Sequence, residues 1–180
     1  MQPARLFVHH QPAPPGPLLL VTDEAQVLRA LYFQDRAERM AAMLRRQYPG
    51  LMPESAAAPA AVTQPLARYF DGALDALDAI AWATAGTDFQ QRVWTALVGI
   101  GPGTTLSYGA LAARLGMPNA SRAVGLANGA NPVSIVVPCH RVIGATGALT
   151  GYGGGMARKQ WLLRHEGIVE TGTIQPDLFA

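Results

Sequence analysis

The sequence predicts an α/β (α+β) N-terminal domain followed by a mostly helical C-terminal domain that contains a helix-turn-helix. Of the 180 residues, 49% are apolar and 14% are charged, a composition that excludes a coiled coil and a charged disordered chain. Nine of the 14 prolines precede residue 66, whereas 16 of the 19 glycines lie from Gly86 onward. We therefore expect a first domain over residues 1–85, a second over 86–170 and a tail over 171–180.

The N-terminal part combines short apolar runs of strand length with two segments of helical spacing. The predicted strands are Leu6–His9, Leu18–Thr22 and Val27–Phe33. The predicted helices are Arg36–Tyr48 and Leu66–Ala81. Residues 53–65 are rich in alanine and proline and predict an exposed loop.

Residues 86–170 contain glycines and N-cap residues that mark where helices end and begin. Three helices are predicted there: Phe89–Val98, a helix that Ser107 caps and Gly116 closes, and a helix from an Asn119 cap to about Asn128. The last two are short and are joined by three residues, which are the proportions of a helix-turn-helix.

The third of these helices carries one charge, Arg122, among alanines and glycines. A helix that reads base edges in the major groove needs several long polar side chains. Small residues instead let the backbone approach a surface closely, which favours a minor-groove contact with one inserted side chain. A tightly packed core helix with a surface arginine is the alternative.

The charge of the chain is unevenly distributed. Residues 1–88 contain seven arginines and nine acidic residues, whereas residues 89–180 contain seven basic and three acidic residues. A basic half in a nearly neutral chain indicates a polyanionic partner; a solvated surface with scattered arginines is the alternative.

The single cysteine, Cys139, follows Val133–Val137, an apolar run that predicts a buried strand. A free thiol has a pKa of about 8.5, so a thiolate at neutral pH needs help from neighbours such as His140 and Arg141. Because adjacent strand residues point to opposite faces, contact between Cys139 and His140 requires a turn at Pro138 or a bridging water. An inert buried cysteine is the alternative.

Glu166 ends a predicted helix, Ala157–His165, where the helix dipole disfavours a carboxylate. It therefore needs a partner: His140, which would complete a Cys–His–Glu relay, or else His165 or solvent. Between Cys139 and this helix lies the glycine-rich segment 144–155, which contains one aromatic residue, Tyr152. It fits neither a phosphate-binding loop nor a dinucleotide fingerprint.

Several classes of partner are not predicted. We found no membrane helix and no signal peptide, so we expect a cytoplasmic protein without a membrane partner. One cysteine excludes an internal disulfide and a multi-cysteine zinc site, and the four histidines lack further soft ligands. Neither a metal nor a cofactor is expected.

Four motifs together resemble the O6-alkylguanine-DNA alkyltransferases, or methylated-DNA–protein-cysteine methyltransferases. They are Asn131–Gly144 (NPVSIVVPCHRVIG), Ser107–Gly109 (SYG), Arg122–Gly125 (RAVG) and Arg158–Gly167 (RKQWLLRHEG). The resemblance extends from Phe89 to Gly167, about 80 residues, and is specific. It implies that the N-terminal α/β domain holds a ribonuclease-H-like sheet.

The resemblance also implies the chemistry. Cys139 would accept the alkyl group of O6-alkylguanine, and of O4-alkylthymine, irreversibly and once per molecule. His140 and Glu166 would remove the thiol proton through a water, and Asn131 would brace the turn before the active-site strand. The base pocket would include Tyr108, Val142, Tyr152 and Gly153; Gly153 stands where some relatives have serine, which suggests a roomy pocket.

The same resemblance implies a monomer that binds double-stranded DNA through the minor groove. Arg122 would fill the space left by the flipped nucleotide, because a base inside the stack is out of reach of a nucleophile. Tyr108 would stabilise the flipped nucleotide and bond the leaving guanine. The remaining DNA-binding residues implied by the motifs are Gly109, Ala123 and Gly125.

Other functions fit the sequence less well. A non-catalytic alkylated-DNA-binding protein would lack the reactive cysteine, and a helix-turn-helix regulator leaves Cys139 unexplained. An adaptive-response regulator would need four zinc-binding cysteines. A cysteine hydrolase would need an oxyanion hole, which we cannot assign, and would turn over more than once.

Overall fold

The computed structural model describes residues 2–168. Within them the chain is mixed α/β, with six α-helices, a four-stranded sheet and a two-stranded sheet. The chain forms two compact units. The first contains the chain up to Gly86 together with Pro132–Val136, and the second contains Thr87–Asn131 and the chain from Val137 onward.

The first unit is built on the four-stranded sheet, in the order β3-β2-β1-β4. The strands are β1 (Leu6–Gln11), β2 (Leu18–Asp23), β3 (Leu28–Phe33) and β4 (Glu54–Ser55). The first three form an antiparallel meander, as expected for apolar runs joined by short turns, and β4 pairs with β1 in parallel. The three strands predicted from the sequence are confirmed within two residues at each end.

Helix α1 (Ala37–Gln47) covers one face of this sheet. Its apolar residues Met40, Met43 and Leu44 are buried in a cluster with side chains of β1, β2 and β3. The exposed side of the helix includes Arg39, Arg45 and Arg46. This is the amphipathic pattern that the spacing predicted.

The predicted helix Leu66–Ala81 is wrong in both bounds. Helix α2 runs from Ala60 to Phe70, because alanines with high helix propensity outweigh Pro65 inside the helix. It stops before Gly72, whose φ of +103° ends the helix, and a short 3₁₀ helix follows at Ala76–Ala79. Part of residues 53–65 is therefore helical rather than loop.

The segment Pro132–Val136 groups with the first unit although it comes from the second half of the sequence. Val133 forms an isolated parallel bridge with Leu31 of β3, and the backbone of Leu31 bonds Pro132 and Ser134 on either side. The contiguous division into 1–85 and 86–170 did not include this crossing and stays a prediction. The predicted tail 171–180 lies outside the described residues.

The predicted strand Val133–Val137 is also wrong, although the run is buried as expected. Only Val133 has strand pairing. Ile135 has a φ of +72°, and the N–H of Val136 donates to the carbonyl of Ser134 at 2.9 Å. This is a γ-turn of positive φ, the more strained form, and it turns the chain where a strand would continue.

The second unit contains the remaining helices and the two-stranded sheet. They are α3 (Asp88–Val98), β5 (Leu106–Ser107), α4 (Tyr108–Arg114), α5 (Ser121–Gly129), β6 (Val142–Ile143) and α6 (Met156–His165). Thr87 and Gln90 form a capping box at the start of α3, and the Ser107 hydroxyl caps α4 as predicted. The Trp94 indole donates to the carbonyl of Ala127, which fixes α3 against α5.

The predicted Asn119 cap of α5 is wrong. The residue before the helix is Ala120, with no side-chain cap, and Asn119 lies in the preceding turn. The amide of Ala120 instead donates to the carbonyl of Met117, which closes that turn. None of the helices among residues 2–168 has the length and apolar character needed to cross a membrane.

Candidate active site

Cys139 lies in two consecutive tight turns rather than in a strand. Pro138 has φ −82° and ψ 61°, and the N–H of Cys139 donates to the carbonyl of Val137 at 2.8 Å, which is an inverse γ-turn. Cys139–Arg141 then form one turn of 3₁₀ helix. The turn at Pro138, one of the two solutions open from the sequence, is therefore present. The other solution, a bridging water between Cys139 and His140, stays a prediction. The thiol residue is 5% exposed.

A buried network of three side chains follows the cysteine. His140 Nε2 donates to Glu166 Oε1 at 3.0 Å, and Arg141 holds the same carboxylate with two bonds of 2.8 Å, one to each oxygen. A third nitrogen of Arg141 donates to the carbonyl of Ile100. Glu166 is therefore held by both His140 and Arg141. The His165 ring stacks on Trp161, with 5.0 Å between the ring centroids.

The network sets the protonation of both groups at neutral pH. Burial would raise the pKa of Glu166, but hydrogen bonds from His140 and Arg141 outweigh it and hold that pKa well below its usual range. Burial lowers the pKa of His140 below its ordinary value of 6.5, although the bond to Glu166 opposes this. At neutral pH the site thus contains an ionised Glu166 and a neutral His140.

The second ring nitrogen of His140 is available for proton transfer. With a hydrogen on Nε2 for Glu166, a neutral ring has a lone pair on Nδ1. Within residues 2–168, this Nδ1 is buried and bonds no protein atom. The ring is in edge contact with Tyr152, at 6.4 Å between centroids and 77° between planes. Glu166 therefore orients the His140 ring through Nε2, and the lone pair on Nδ1 can accept a proton.

Lys159 joins β6 to the glycine-rich segment. Its side chain is fully buried, and Nζ donates to the carbonyls of Val142 and Thr150, both at 2.6 Å. Because Val142 follows the Cys139 turn and Thr150 precedes Tyr152, this one ammonium fixes two segments that border the cysteine. Its charge also contributes to lowering the pKa of His140, after burial.

Tyr108 is placed at the same site from another direction. It follows β5, which pairs in parallel with β6 through Leu106–Val142 and Ser107–Ile143. Its ring packs on Gly125 of α5, where an added Cβ would meet ring carbons at 3.6 and 3.7 Å. Burial raises the pKa of Tyr108, and the nearby side chains of Thr150 and Asn128 oppose that rise.

Two asparagines bond the backbone on either side of the cysteine turn. Asn131 Nδ2 donates to the carbonyl of Val137 at 2.8 Å. This bond joins the two residues that flank the segment Pro132–Val136. Asn128 Nδ2, at the end of α5, donates to the carbonyl of Cys139 itself at 3.4 Å. The backbone carbonyls around the thiol are thus oriented by side chains.

The residues expected to bind DNA lie at the surface. Arg122, Ala123 and Gly109 are exposed, and Gly125 is half-buried under Tyr108. Gly153, expected in the base pocket, is half-buried, whereas Val142 and Tyr152 are buried. Arg122 is in the first turn of α5, and Leu126, one turn later, is exposed as well.

Sequence reasoning grouped Cys139, His140 and Glu166, and the structure brings His140 and Glu166 into contact beside the cysteine. It named Arg141 only as a possible influence on the thiol pKa, and it missed Lys159 and Asn128 as site residues. A signal existed for Lys159, which is the single lysine of the chain and is placed inside an otherwise apolar helix face. No three histidine, cysteine or acidic side chains converge on a metal site in the part of the chain that the structure describes.

The comparisons with known proteins address the class first. The family described as 6-O-methylguanine DNA methyltransferase, DNA binding domain, matches residues 88–168. The crystal structure of Mycobacterium tuberculosis O6-methylguanine methyltransferase covers 89% of this chain and 92% of its own, at 42% identity and a TM-score of 0.73. A structure of Mycobacterium tuberculosis OGT in complex with DNA matches at 40% identity and a TM-score of 0.63, over 91% and 92% of the chains. The fold and the buried cysteine site define a methyltransferase that carries this DNA-binding domain.

The relatives with curated names are more specific. The methylated-DNA–protein-cysteine methyltransferase of Salmonella typhimurium is 52% identical over 165 residues, which is 91% of this chain and 96% of the relative. The chain belongs to the methylated-DNA–protein-cysteine methyltransferase family.

Proposed function

We propose that this protein repairs alkylated DNA by transferring the alkyl group from O6 of guanine to its own Cys139. The observation that carries the proposal is the neutral His140 beside the cysteine, fixed through Nε2 by an ionised Glu166 and unpartnered at Nδ1 among residues 2–168. Such an arrangement supplies a base for the thiol. Family membership supports the alkyl transfer itself.

The reaction we infer has three linked events. His140 Nδ1 takes the proton of the Cys139 thiol, through one bridging water, and the imidazolium is stabilised by Glu166. The thiolate forms a bond to the alkyl carbon while the bond from that carbon to guanine O6 breaks. The electron pair stays on the base, and hydrogen-bond donors such as the Tyr108 hydroxyl stabilise the negative charge.

The product is a thioether, S-alkylcysteine, which is chemically stable. Cys139 is the sole cysteine of the chain, so no second thiol is present to accept another alkyl group. Each molecule therefore reacts once. The same chemistry extends to the alkyl group of O4-alkylthymine, with Val142, Tyr152 and Gly153 bordering the base and Asn131 bracing the chain before the cysteine.

DNA binding is assigned to α4 and α5, which we propose act as a helix-turn-helix on the minor groove. The exposed Arg122 in the first turn of α5 enters the duplex and replaces the flipped nucleotide. Small residues beside it, Gly109, Ala123 and Gly125, allow close approach to the sugar-phosphate backbone, and Tyr108 contacts the flipped nucleotide.

The organisation of the whole chain is part of the proposal. We expect a ribonuclease-H-like N-terminal domain, a C-terminal domain that binds DNA and reacts, and a monomer that acts in the cytoplasm. The basic charge of residues 89–180 supports the assignment of DNA binding to the second domain.

The function is tested by weighing the intact protein. After incubation with a duplex that contains O6-methylguanine, the wild-type protein should gain the mass of one methyl group, and no more with excess DNA. Cys139→Ala should gain nothing while remaining folded by circular dichroism. A folded wild-type protein that gains no mass, or product in excess of protein, would contradict the proposal.

The role of Arg122 is tested by comparing substrates. We expect Arg122→Ala to slow methyl transfer on duplex DNA at least about tenfold more than on single-stranded DNA, because only the duplex needs a residue to fill the flipped position. Arg68→Ala removes the same charge from an exposed position of α2 and serves as the control. Equal slowing on both substrates would show that Arg122 has no such role.

A further inference from the structure

Asn128 is a buried polar residue that the reaction described above does not use. Its side chain is 4% exposed, at the end of the helix that carries Arg122. Nδ2 lies 3.4 Å from the carbonyl oxygen of Cys139. A carbonyl oxygen can only accept, so the amide must present its NH₂ to Cys139. This fixes the orientation of the amide and directs Oδ1 away from that carbonyl.

Oδ1 of Asn128 has no hydrogen-bond partner within the described part of the chain, although it is buried. Buried acceptors without a donor are rare in native proteins, and each one calls for an explanation. The hydroxyl of Thr150 is in the same condition. Both side chains lower the pKa of Tyr108, so the two unsatisfied oxygens lie near the same hydroxyl group.

That neighbourhood is where the reacting base must lie. Asn128 bonds the backbone of the nucleophile, and the Tyr108 ring packs on Gly125, one helical turn before Asn128. A base held within reach of Cys139 and Tyr108 therefore comes next to the amide of Asn128. The unsatisfied Oδ1 then needs a donor on that base.

We propose that Asn128 Oδ1 accepts a hydrogen bond from the 2-amino group of the flipped O6-alkylguanine and so selects guanine over thymine lesions; this inference rests on the proposed function. Alkylation at O6 leaves N1 without a hydrogen, and N9 carries the sugar. The 2-amino group is then the only N–H donor of the base. O4-alkylthymine has no N–H donor at all, because its N3 has lost its hydrogen in the same way.

Three duplexes that differ only at the lesion test this contact: O6-methylguanine, O6-methylhypoxanthine, which lacks the 2-amino group, and O4-methylthymine. The rate of methyl transfer to Cys139 is measured by intact mass at saturating DNA. We expect the wild-type protein to react at least about tenfold faster with the guanine lesion than with the hypoxanthine lesion, the effect of one hydrogen bond to a buried acceptor.

Asn128→Leu, of similar size, should reduce this ratio at least about fivefold by slowing the guanine reaction, and should raise the relative rate on O4-methylthymine. Asn128→Ala is the second variant, and Gln34→Leu, which removes an exposed amide side chain from the first unit, is the control. Circular dichroism and the melting temperature establish that each variant is folded.

Two results would overturn the assignment. Equal wild-type rates on the guanine and hypoxanthine lesions would do so without any variant. Equal slowing of both reactions in Asn128→Leu would show that Asn128 only orients Cys139 or Tyr108. If the wild-type protein takes no methyl group from O6-methylguanine, the proposed function fails; if it does and the ratio is unchanged by the variants, only this inference fails.

Discussion

At the scale of single residues, Arg141 acts together with His140 to keep Glu166 ionised. Its two bonds to Glu166 and its bond to the Ile100 carbonyl leave the guanidinium buried and satisfied. The carboxylate stays ionised. In the proposed reaction, a proton taken from Cys139 would therefore remain on His140 instead of moving on to Glu166, and we propose that Arg141 positions this base.

We expect Arg141→Met to lower the free energy of unfolding by about 3–5 kcal/mol, because it leaves the Glu166 carboxylate buried with no cation of its own. Urea denaturation followed by tryptophan fluorescence measures the change. Arg164→Met, at an exposed position of α6, is the control and should change stability by no more than about 0.5 kcal/mol. A loss of less than about 1 kcal/mol in Arg141→Met would contradict this role.

The sequence predicted part of this site for a physical reason. A carboxylate at the C-terminus of a helix needs a partner, and this requirement led from Glu166 to His140. Nothing in the spacing indicated that Arg141 would share the carboxylate, because adjacent residues were expected on opposite faces of a strand. The 3₁₀ turn at Cys139–Arg141 brings both side chains to Glu166. Lys159 and Asn128 were missed because their partners are backbone carbonyls.

At the scale of elements, local pattern predicted strands better than the bounds of helices. The apolar spacing of Phe70, Leu74, Leu77 and Ile80 is that of one helix. Leu77 and Ile80 are buried, and Phe70 and Leu74 are half-buried. The backbone nevertheless changes conformation at Gly72, where positive φ is accessible at little cost. The burial of these positions was predictable, whereas the break between α2 and the 3₁₀ helix depends on tertiary packing. Ile135 is a stronger case, because a β-branched residue at positive φ is rare.

Two glycines of the second unit should respond in opposite ways to the same substitution. Gly125→Ala should raise the free energy of unfolding by about 0.5–1 kcal/mol, because Gly125 is inside α5 and the new Cβ makes an ordinary contact with the Tyr108 ring. Gly103→Ala should lower it by about 1–2 kcal/mol, because Gly103 has a φ of +74° and its Cβ would lie 3.3 Å from the Glu166 carbonyl oxygen. Denaturation curves of the two variants test this pair directly. Changes of the same sign would contradict it.

At the scale of the whole molecule, the chain crosses from the second unit to the first and back within a few residues. The crossing at Pro132–Val136 immediately precedes Cys139 in the sequence, and Asn131 and Val137 bond across its two ends. Composition predicts a change from the first to the second part of the chain near residue 85, but no composition shift marks this return. It depends on a backbone pairing with β3, which sequence pattern does not encode.

Stability of the protein should fall as the pH is lowered from neutral. His140 has a lowered pKa in the folded state. As the pH falls through about 6.5, His140 is protonated in the unfolded chain before it is protonated in the folded chain, and this destabilises the folded state. Glu166 also has a lowered pKa, and its contribution is lost as the pH falls below about 4.5. The free energy of unfolding should therefore decrease from pH 7.5 to 5.5 and more steeply below pH 4.5.

Urea denaturation at a series of pH values checks this dependence. His140→Asn removes the upper titration and should flatten the curve between pH 7.5 and 5.5. A wild-type stability that rises on acidification through this range would show that His140 is charged in the folded protein.

The burial of Lys159 has a consequence for experiments on this protein. It is the only lysine in the sequence, and its ammonium is enclosed between two carbonyl oxygens. An amine-directed acylating reagent reaches that side chain only when α6 or the glycine-rich segment opens. The rate at which an acyl group appears on Lys159 thus measures local opening around the cysteine. No other lysine side chain reacts with the reagent.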